Sequence, residues 1–364
     1  MRATVSAGEL AAALKTSVTP SNTPHNAILH ARLHAAGDTL HLETTDLSVY
    51  VRESIAAQVD EAGTILLRES LLRPIAAADG EIRIGGDGKV SRGRSHFRVP
   101  ALPADQWPDQ DDTRWMPLAV DVGALAAAIR AVSHSATDDD LRPALRGLHI
   151  DAGFVWGSDG NAMSFARIDY RGPAITLPDA QTRRVLDMLG EGATLEAANI
   201  GSGVAGLLRI THGTRQMTAR LLSAKPLELT STIKAFRYDA AAVRIKRDEL
   251  LAALRRFMPF AWLNGETKAK GLPVVVLMLQ AGELILADRA EENRESLAEA
   301  VIEAPGKFRT GVDPRRLIAA LGAIDSNTVA LHPPTDGAPQ RGWLLYADQT
   351  DKDDGAHFIA PITI

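Results

Sequence analysis

The 364-residue chain has no cysteine, few aromatic residues (5%) and no apolar run approaching the roughly 20 residues that span a bilayer. Without thiols there are no disulfides, no thiolate nucleophile and no thiolate metal site. The short apolar runs, and an opening MRATVSAGEL with no signal-peptide core, lead us to expect a cytoplasmic protein with no membrane association. Neither charge sign dominates, since 40 Lys and Arg face 45 Asp and Glu for a net charge of −5. That balance argues against adhesion to nucleic acid over the whole surface, but not against contact through one locally basic face.

Signatures of catalysis are equally scarce. RIGGDGKV at 83–90 is glycine-rich but lies between strand-like segments, where a turn is a simpler reading than a phosphate cradle. TDDDLR at 137–142 reads as an acidic loop or turn cap, and DQTDKDDG lacks the spacing and closing glutamate of a calcium loop. The ten histidines form no HExxH pair and no serine sits in a G-x-S-x-G elbow. We therefore expect no metal, no cofactor and no catalytic residue.

What the sequence does contain is a repeat. GELAAALK at 8–15 returns as GALAAAIR at 123–130 and DELLAALRR at 248–256, with Leu10, Leu125 and Leu250 spaced 115 and 125 residues apart. A cation follows each leucine by five positions, as Lys15, Arg130 and Arg255. That offset is about 140° around a helix, so one face is apolar and the other positive. After each helix come strand-like hairpin segments, then a second helix: RESLLRPIAAA, DAQTRRVLDMLG and DPRRLIAALG. Each third thus reads strand, helix, three strands, helix, three strands, an α+β pattern, with Asp179 and Asp313 as helix N-caps. Pro74 inside the second helix of the first copy predicts a bent or short helix. A chain of this length suits two or three domains, with boundaries near DQWPDQDDTRW and KAFRYDAA.

Cations recur on the second helices, at Arg183, Arg184, Arg315 and Arg316, whereas the first copy has Glu69 and Ser70 there instead, with Arg68 and Arg73 nearby. Any single such face is what an ordinary solvated helix shows; repetition at matching positions points further. If helices line a hole at axis spacings of about 8–10 Å, six leave a bore under about 10 Å and twelve leave roughly 22–28 Å. A duplex is about 20 Å across. One chain is too small to surround it, and two chains suffice.

In its motifs the chain resembles the bacterial DNA polymerase III beta subunit, the sliding clamp, along essentially its whole length. The resemblance rests on SRGRSHFRVPALPADQWPDQDD at 91–112, NAILHARLHAAGDTLHLETTDLSVYV at 26–51, DLRPALRGLHID at 140–151, GSDGNAMSF at 157–165 and the tail AHFIAPITI. It implies three processivity-clamp domains, 1–115, 116–238 and 239–364, with helices lining a central hole and sheets outside, in a ring-shaped homodimer. It also implies a non-catalytic subunit that encircles double-stranded DNA without sequence specificity. Its partners would be DNA polymerase III, the clamp loader and other proteins carrying clamp-binding motifs.

The resemblance assigns a partner-peptide groove to Leu145, Ser158, Gly160, Asn161, Ala162, Met163, Pro226, Asp313, Arg316 and the tail residues Phe358, Ile359, Ala360, Pro361 and Ile362. DNA-facing cations would be Lys15, Arg73, Arg130, Arg183, Arg184, Arg255, Arg256 and Arg315. Dimer contacts would fall to Phe97 and Val99 on one chain and Phe260 on the other, with Arg94, Glu291, Glu292 and Glu295 at the rim. The chain departs from the family pattern at Gly160-Asn161-Ala162, where Gly-His-Arg is usual, at Thr23, and at Pro143 and Ala144. It therefore looks like a divergent clamp. A clamp-like protein that sequesters partners without loading on DNA is the alternative.

Overall fold

The computed structural model describes residues 1–20, 23–108, 113–223, 227–230, 233, 242–262, 271–304, 306–334 and 342–364. They form two compact units, 1–122 with 187–221 and 123–186 with 222–364. The expected boundary at 234–241 lies outside the described residues. No helix among the described residues is long and apolar enough to cross a membrane.

In the first unit the strand Arg2–Ser6 leads directly into the helix Ala7–Lys15. Leu10, Ala13 and Leu14 recur at helical spacing on its inner face and are buried, while Glu9 and Lys15 sit at the ends that favour their charges. The second helix, Glu69–Ala76, is only eight residues long and contains Pro74, so the expected short helix is found. Its Leu72 and Ile75 join Leu10 and Leu14 in one core. Glu69 is buried but satisfied, accepting from Ser17 Oγ at 2.6 Å and Thr19 Oγ1 at 3.1 Å and pairing with Arg73 Nε at 2.7 Å.

The second unit holds a nine-stranded sheet and a four-stranded sheet, with the helices Arg247–Phe257 and Pro314–Ala323 packed into a single core through Leu250, Leu254, Leu317 and Leu321. Asp313 caps the latter helix, accepting from the Arg315 backbone N–H, and Pro314 follows in the first turn. One strand per copy escapes the sequence pattern. Gly63–Arg68, Ile175–Leu177 and Phe308–Val312 each run straight up to a second helix. Their apolar residues abut the helix start, so a linear reading merges the two.

The copies are joined by strand exchange, and the joint occurs in the same form in each unit. In the first, the strand Val49–Glu61 pairs antiparallel with Arg215–Arg220, bringing Tyr50 opposite Thr218. In the second, Ala162–Arg167 pairs antiparallel with Gly355–Ile359, bringing Met163 opposite Phe358. In both cases the third strand after a copy's first helix meets the last strand of the next copy. This explains the two-unit division: the middle third is split because each of its halves completes a neighbour's sheet. Two strands of the same kinds end their sheets with one neighbour among the described residues, Ser95–Arg98 (the third after the first copy's second helix) and Arg294–Ser296 (the third after the last copy's first helix).

The repeat markers Leu10, Leu125 and Leu250 are 0%, 2% and 0% exposed. Replacing any one with Ala should cost about 2–5 kcal/mol by leaving a cavity. Denaturant titration of the three variants checks this; a loss below about 1 kcal/mol at one position would break the equivalence of the copies.

Candidate functional site: an apolar groove and its polar neighbour

The groove is built around a tight turn. Strand Phe154–Ser158 leads to Asp159, whose Oδ1 accepts from the backbone N–H of Asn161 at 2.9 Å and of Ala162 at 2.8 Å. Ser158 Oγ accepts from Gly160 N–H at 3.1 Å and donates to the Ala162 carbonyl at 2.8 Å. Gly160 has φ +83°, and a Cβ there would collide with the Arg142 guanidinium, so the turn requires glycine. The chain then enters Ala162–Arg167 beside the C-terminal strand, and Ala360 N–H donates to the Asn161 carbonyl at 2.7 Å. Ile362 N–H donates to the Gly311 carbonyl at 2.9 Å, which fixes the tail beyond Pro361.

These elements enclose a cavity of about 430 Å³. Ten of the residues assigned from the resemblance line it: Leu145, Ser158, Gly160, Asn161, Ala162, Met163, Phe358, Ile359, Ala360 and Pro361. Trp156, Leu227, Leu229 and Gly342 also line it and were not foreseen. Trp156 could have been found from strand alternation, since it stands two positions before Ser158. Its floor is aromatic: Phe165 stacks on Phe358 at 6.0 Å and meets Phe154 edge-on at 5.8 Å. An apolar cleft of this size with few polar groups suits the apolar side chains of a ligand.

Asp313 and Arg316 line a second cavity, of about 310 Å³, that shares Ala162, Phe358 and Ile359 with the first. Ala162, small where the family usually has a cation, is part of both walls. Arg316 pairs with Asp159 and, at 3.7 Å, with Asp313. Burial opposes ionisation of Asp159, but the bond from Arg316 and the two turn N–H groups outweigh it and hold its carboxyl below the ordinary value. Behind them Ser164 Oγ joins His357 Nδ1 at 2.8 Å, His134 Nε2 at 3.1 Å and Ser135 Oγ at 2.7 Å. Ile362 lines neither cavity, and Pro226 lies outside the described residues.

The helix cations divide in a way the sequence does not reveal. Lys15, Arg130, Arg183, Arg184 and Arg255 are exposed and carry no ion pair among the described residues. Arg73 is tied to Glu69, Arg256 to Glu295 and Arg315 to Asp313 at 2.7 Å. Of the residues assigned to a dimer contact, Phe97 and Phe260 are each 39% exposed, whereas Val99 is buried in the core of its own unit. Arg94 and Glu292 are exposed; Glu291 is engaged by Arg294 and Arg309, and Glu295 by Arg256.

No family model matches the chain. It is 26% identical over 330 residues to the beta sliding clamp of Streptomyces coelicolor, covering 84% of each chain. It is 27% identical over 317 residues to the beta sliding clamp homolog GriR of Streptomyces muensis, covering 81% of this chain and 80% of that one. Among solved structures, a Caulobacter crescentus beta sliding clamp superposes with a TM-score of 0.84 at 19% identity, over 100% of this chain and 99% of that one. A Pseudomonas aeruginosa sliding clamp bound to griselimycin superposes with a TM-score of 0.82 at 20% identity over the full length of both. The fold is that of the sliding clamps. Within that class the chain is similar to the DNA polymerase III beta subunit, as a divergent relative.

Burial lowers the pKa of His134 and His149 to about 4 and that of His357, further lowered by His134, to about 3. All three folded values lie below the ordinary 6.5, so on acidification the unfolded chain binds protons first. Their stabilisation is complete above about pH 6.5 and drains away as the pH falls towards 4, at about 1.4 kcal/mol per pH unit for each histidine. Urea titrations between pH 7.5 and 4.5 should show this slope, and His357→Asn should make it shallower by one proton.

Proposed function

We propose that the chain is a DNA sliding clamp. Two copies join head to tail into a ring around duplex DNA and tether DNA polymerase III and other partners. The observation that carries this reading is the repeated joint. Among the described residues two joints of one kind lie within the chain, and the two strands that a third would need, Ser95–Arg98 and Arg294–Ser296, are left as sheet edges. An edge presents unpaired N–H and C=O groups that seek a partner strand. Because the two strands come from opposite ends of the repeat, the joint is head to tail, and two such joints close a ring of two chains when each turns the chain through half a circle.

In this reading the three domains are 1–115, 116–238 and 239–364, and Phe97 and Phe260 flank the intermolecular joint. The unpaired helix cations Lys15, Arg130, Arg183, Arg184 and Arg255 face the duplex. A tether that works by topology cuts no bond and needs little phosphate affinity. The groove around Met163 and Phe358 takes short partner peptides through apolar anchors. The sliding-clamp relatives and the griselimycin-bound neighbour support this assignment.

The purified protein should have twice the chain mass, and Phe97→Asp or Phe260→Asp should halve it. Loaded on nicked circular DNA it should stay bound and then fall off when the circle is linearised; a monomer never trapped on circles would overturn the ring. Changing Lys15, Arg130 and Arg255 together to Glu should impair loading without altering dimer mass, and indifference would remove these faces from the bore. In the groove, Met163→Glu should weaken a labelled peptide carrying an aliphatic–aromatic anchor pair by roughly tenfold or more in fluorescence anisotropy.

A further inference from the structure

On the face of the first copy's sheet turned away from the buried Leu33, Leu40 and Leu42, four polar residues stand in one row across four strands. Thr64 lies opposite His34, His34 opposite His41, and His41 opposite Ser54. The two histidines come together through the hairpin that turns at Gly37 and Asp38, so no local sequence motif marks them. Each ring is held by its outer neighbour: His34 Nδ1 lies 2.8 Å from Thr64 Oγ1, and His41 Nδ1 lies 2.8 Å from Ser54 Oγ. The two rings have their centroids 5.9 Å apart and their planes within 10° of parallel.

An imidazole that binds a metal is usually oriented by a hydrogen bond from its other ring nitrogen. Here an Nδ1–H that donates to the hydroxyl leaves the lone pair on Nε2, and neither Nε2 has a hydrogen-bond partner among the described residues. Two imidazoles on one ion, with Zn–N bonds of about 2.0–2.1 Å, have centroids roughly 5–6.5 Å apart as the bond angle opens from tetrahedral to linear. The observed separation falls inside that interval. No group of three or more metal-ligating side chains occurs among the described residues, so the pair is the protein's whole share of such a site. Both rings are half-buried and reached by water, which can fill the other coordination positions. The next row along the strands holds Arg32, Glu43 and Arg52, and there Glu43 pairs with both arginines. The histidine row itself offers no carboxylate to Mg²⁺ or Ca²⁺, which take oxygen ligands, and suits ions that prefer imidazole.

We propose that His34 and His41 form a surface site for one late transition-metal ion of the Zn²⁺ class, bound through both Nε2 atoms. Such an ion ties the strand His30–Ala36 to the strand Thr39–Thr45, and through the two hydroxyls to the strands on either side. Because the paired geometry exists only in the folded chain, binding adds stability by mass action. The inference goes beyond the clamp reading and does not depend on it.

The test is isothermal titration calorimetry of the full chain with zinc chloride, and with magnesium chloride as control. The chain has no cysteine, so thiolates cannot contribute. Zinc should bind at one site per chain and magnesium should not, and His34→Gln or His41→Gln should weaken the zinc site by at least about tenfold. Ser54→Ala combined with Thr64→Val keeps both ligands but frees the rings, and should weaken zinc binding by a smaller factor. In urea titrations zinc should raise the midpoint of the wild type and leave that of either histidine variant where it was, a comparison that holds even if a variant is itself less stable. Should one histidine variant fail to fold, the other decides, since both ligands are required. Three results would overturn the proposal: no saturable zinc binding, zinc affinity unchanged in the histidine variants, or magnesium binding as tightly as zinc.

Discussion

The pairing of a strand from one copy with a strand from the next is the interaction on which the rest of this structure depends. A β-sheet cannot end without leaving a row of backbone donors and acceptors to water or to another chain. Here the second and third copies each lend their terminal strand to the sheet of the copy before, at Arg215–Arg220 and again at Gly355–Ile359. Antiparallel pairing has a side-chain period of two, so a slip of one residue would turn every core side chain outward. The buried faces of Val51, Met217, Phe165 and Phe358 therefore hold the joint in register.

The same constraint explains why cavities open at the joints. A joint holds two backbones in fixed register while leaving the turns beside it free to vary. At the second joint the turn of Asp159 and Gly160, the tail at Ala360 and the aromatic floor together form a cleft. At the first, the equivalent positions hold Glu43, Arg52 and Arg209, and the cleft becomes small and charged. The backbone positions the site and the side chains choose what it takes. Polar partners of the groove follow the same division of labour: Asp159 shapes the turn with one oxygen and holds Arg316 with the other.

What could be read from the sequence was what is local in it. The helices and their buried leucines follow from a 3.6-residue period, and the groove turn follows from a short motif, so both were legible. The strand Gly63–Arg68 was not, because it runs into the helix Glu69–Ala76 with no turn residue between them. Nor was the sorting of cations. Arg73 and Arg315 look like Arg183 and Arg255 in the sequence, yet the first two have close carboxylates and the latter two have none among the described residues. Strand spacing would put Val99 on the same face as Phe97, but the strand ends at Arg98 and Val99 turns into the core of its own unit. Leu227, Leu229 and Gly342 line the groove from positions remote in sequence from the motif, and no local signal marks them.

The charge pattern fits retention by topology rather than by affinity. Each chain carries a net charge of −5, and five helix cations are left unpaired among the described residues. Were all ten in a dimer to contact phosphates at once, counterion release would give a salt slope of about −9 and a complex that dissociates steeply with ionic strength. A closed ring gains nothing from such contacts, since leaving the duplex requires opening a sheet joint. It also loses by them, because each phosphate contact must break for the ring to advance. A few exposed helix cations on a chain of net negative charge are therefore the arrangement to expect where DNA must be centred but not gripped.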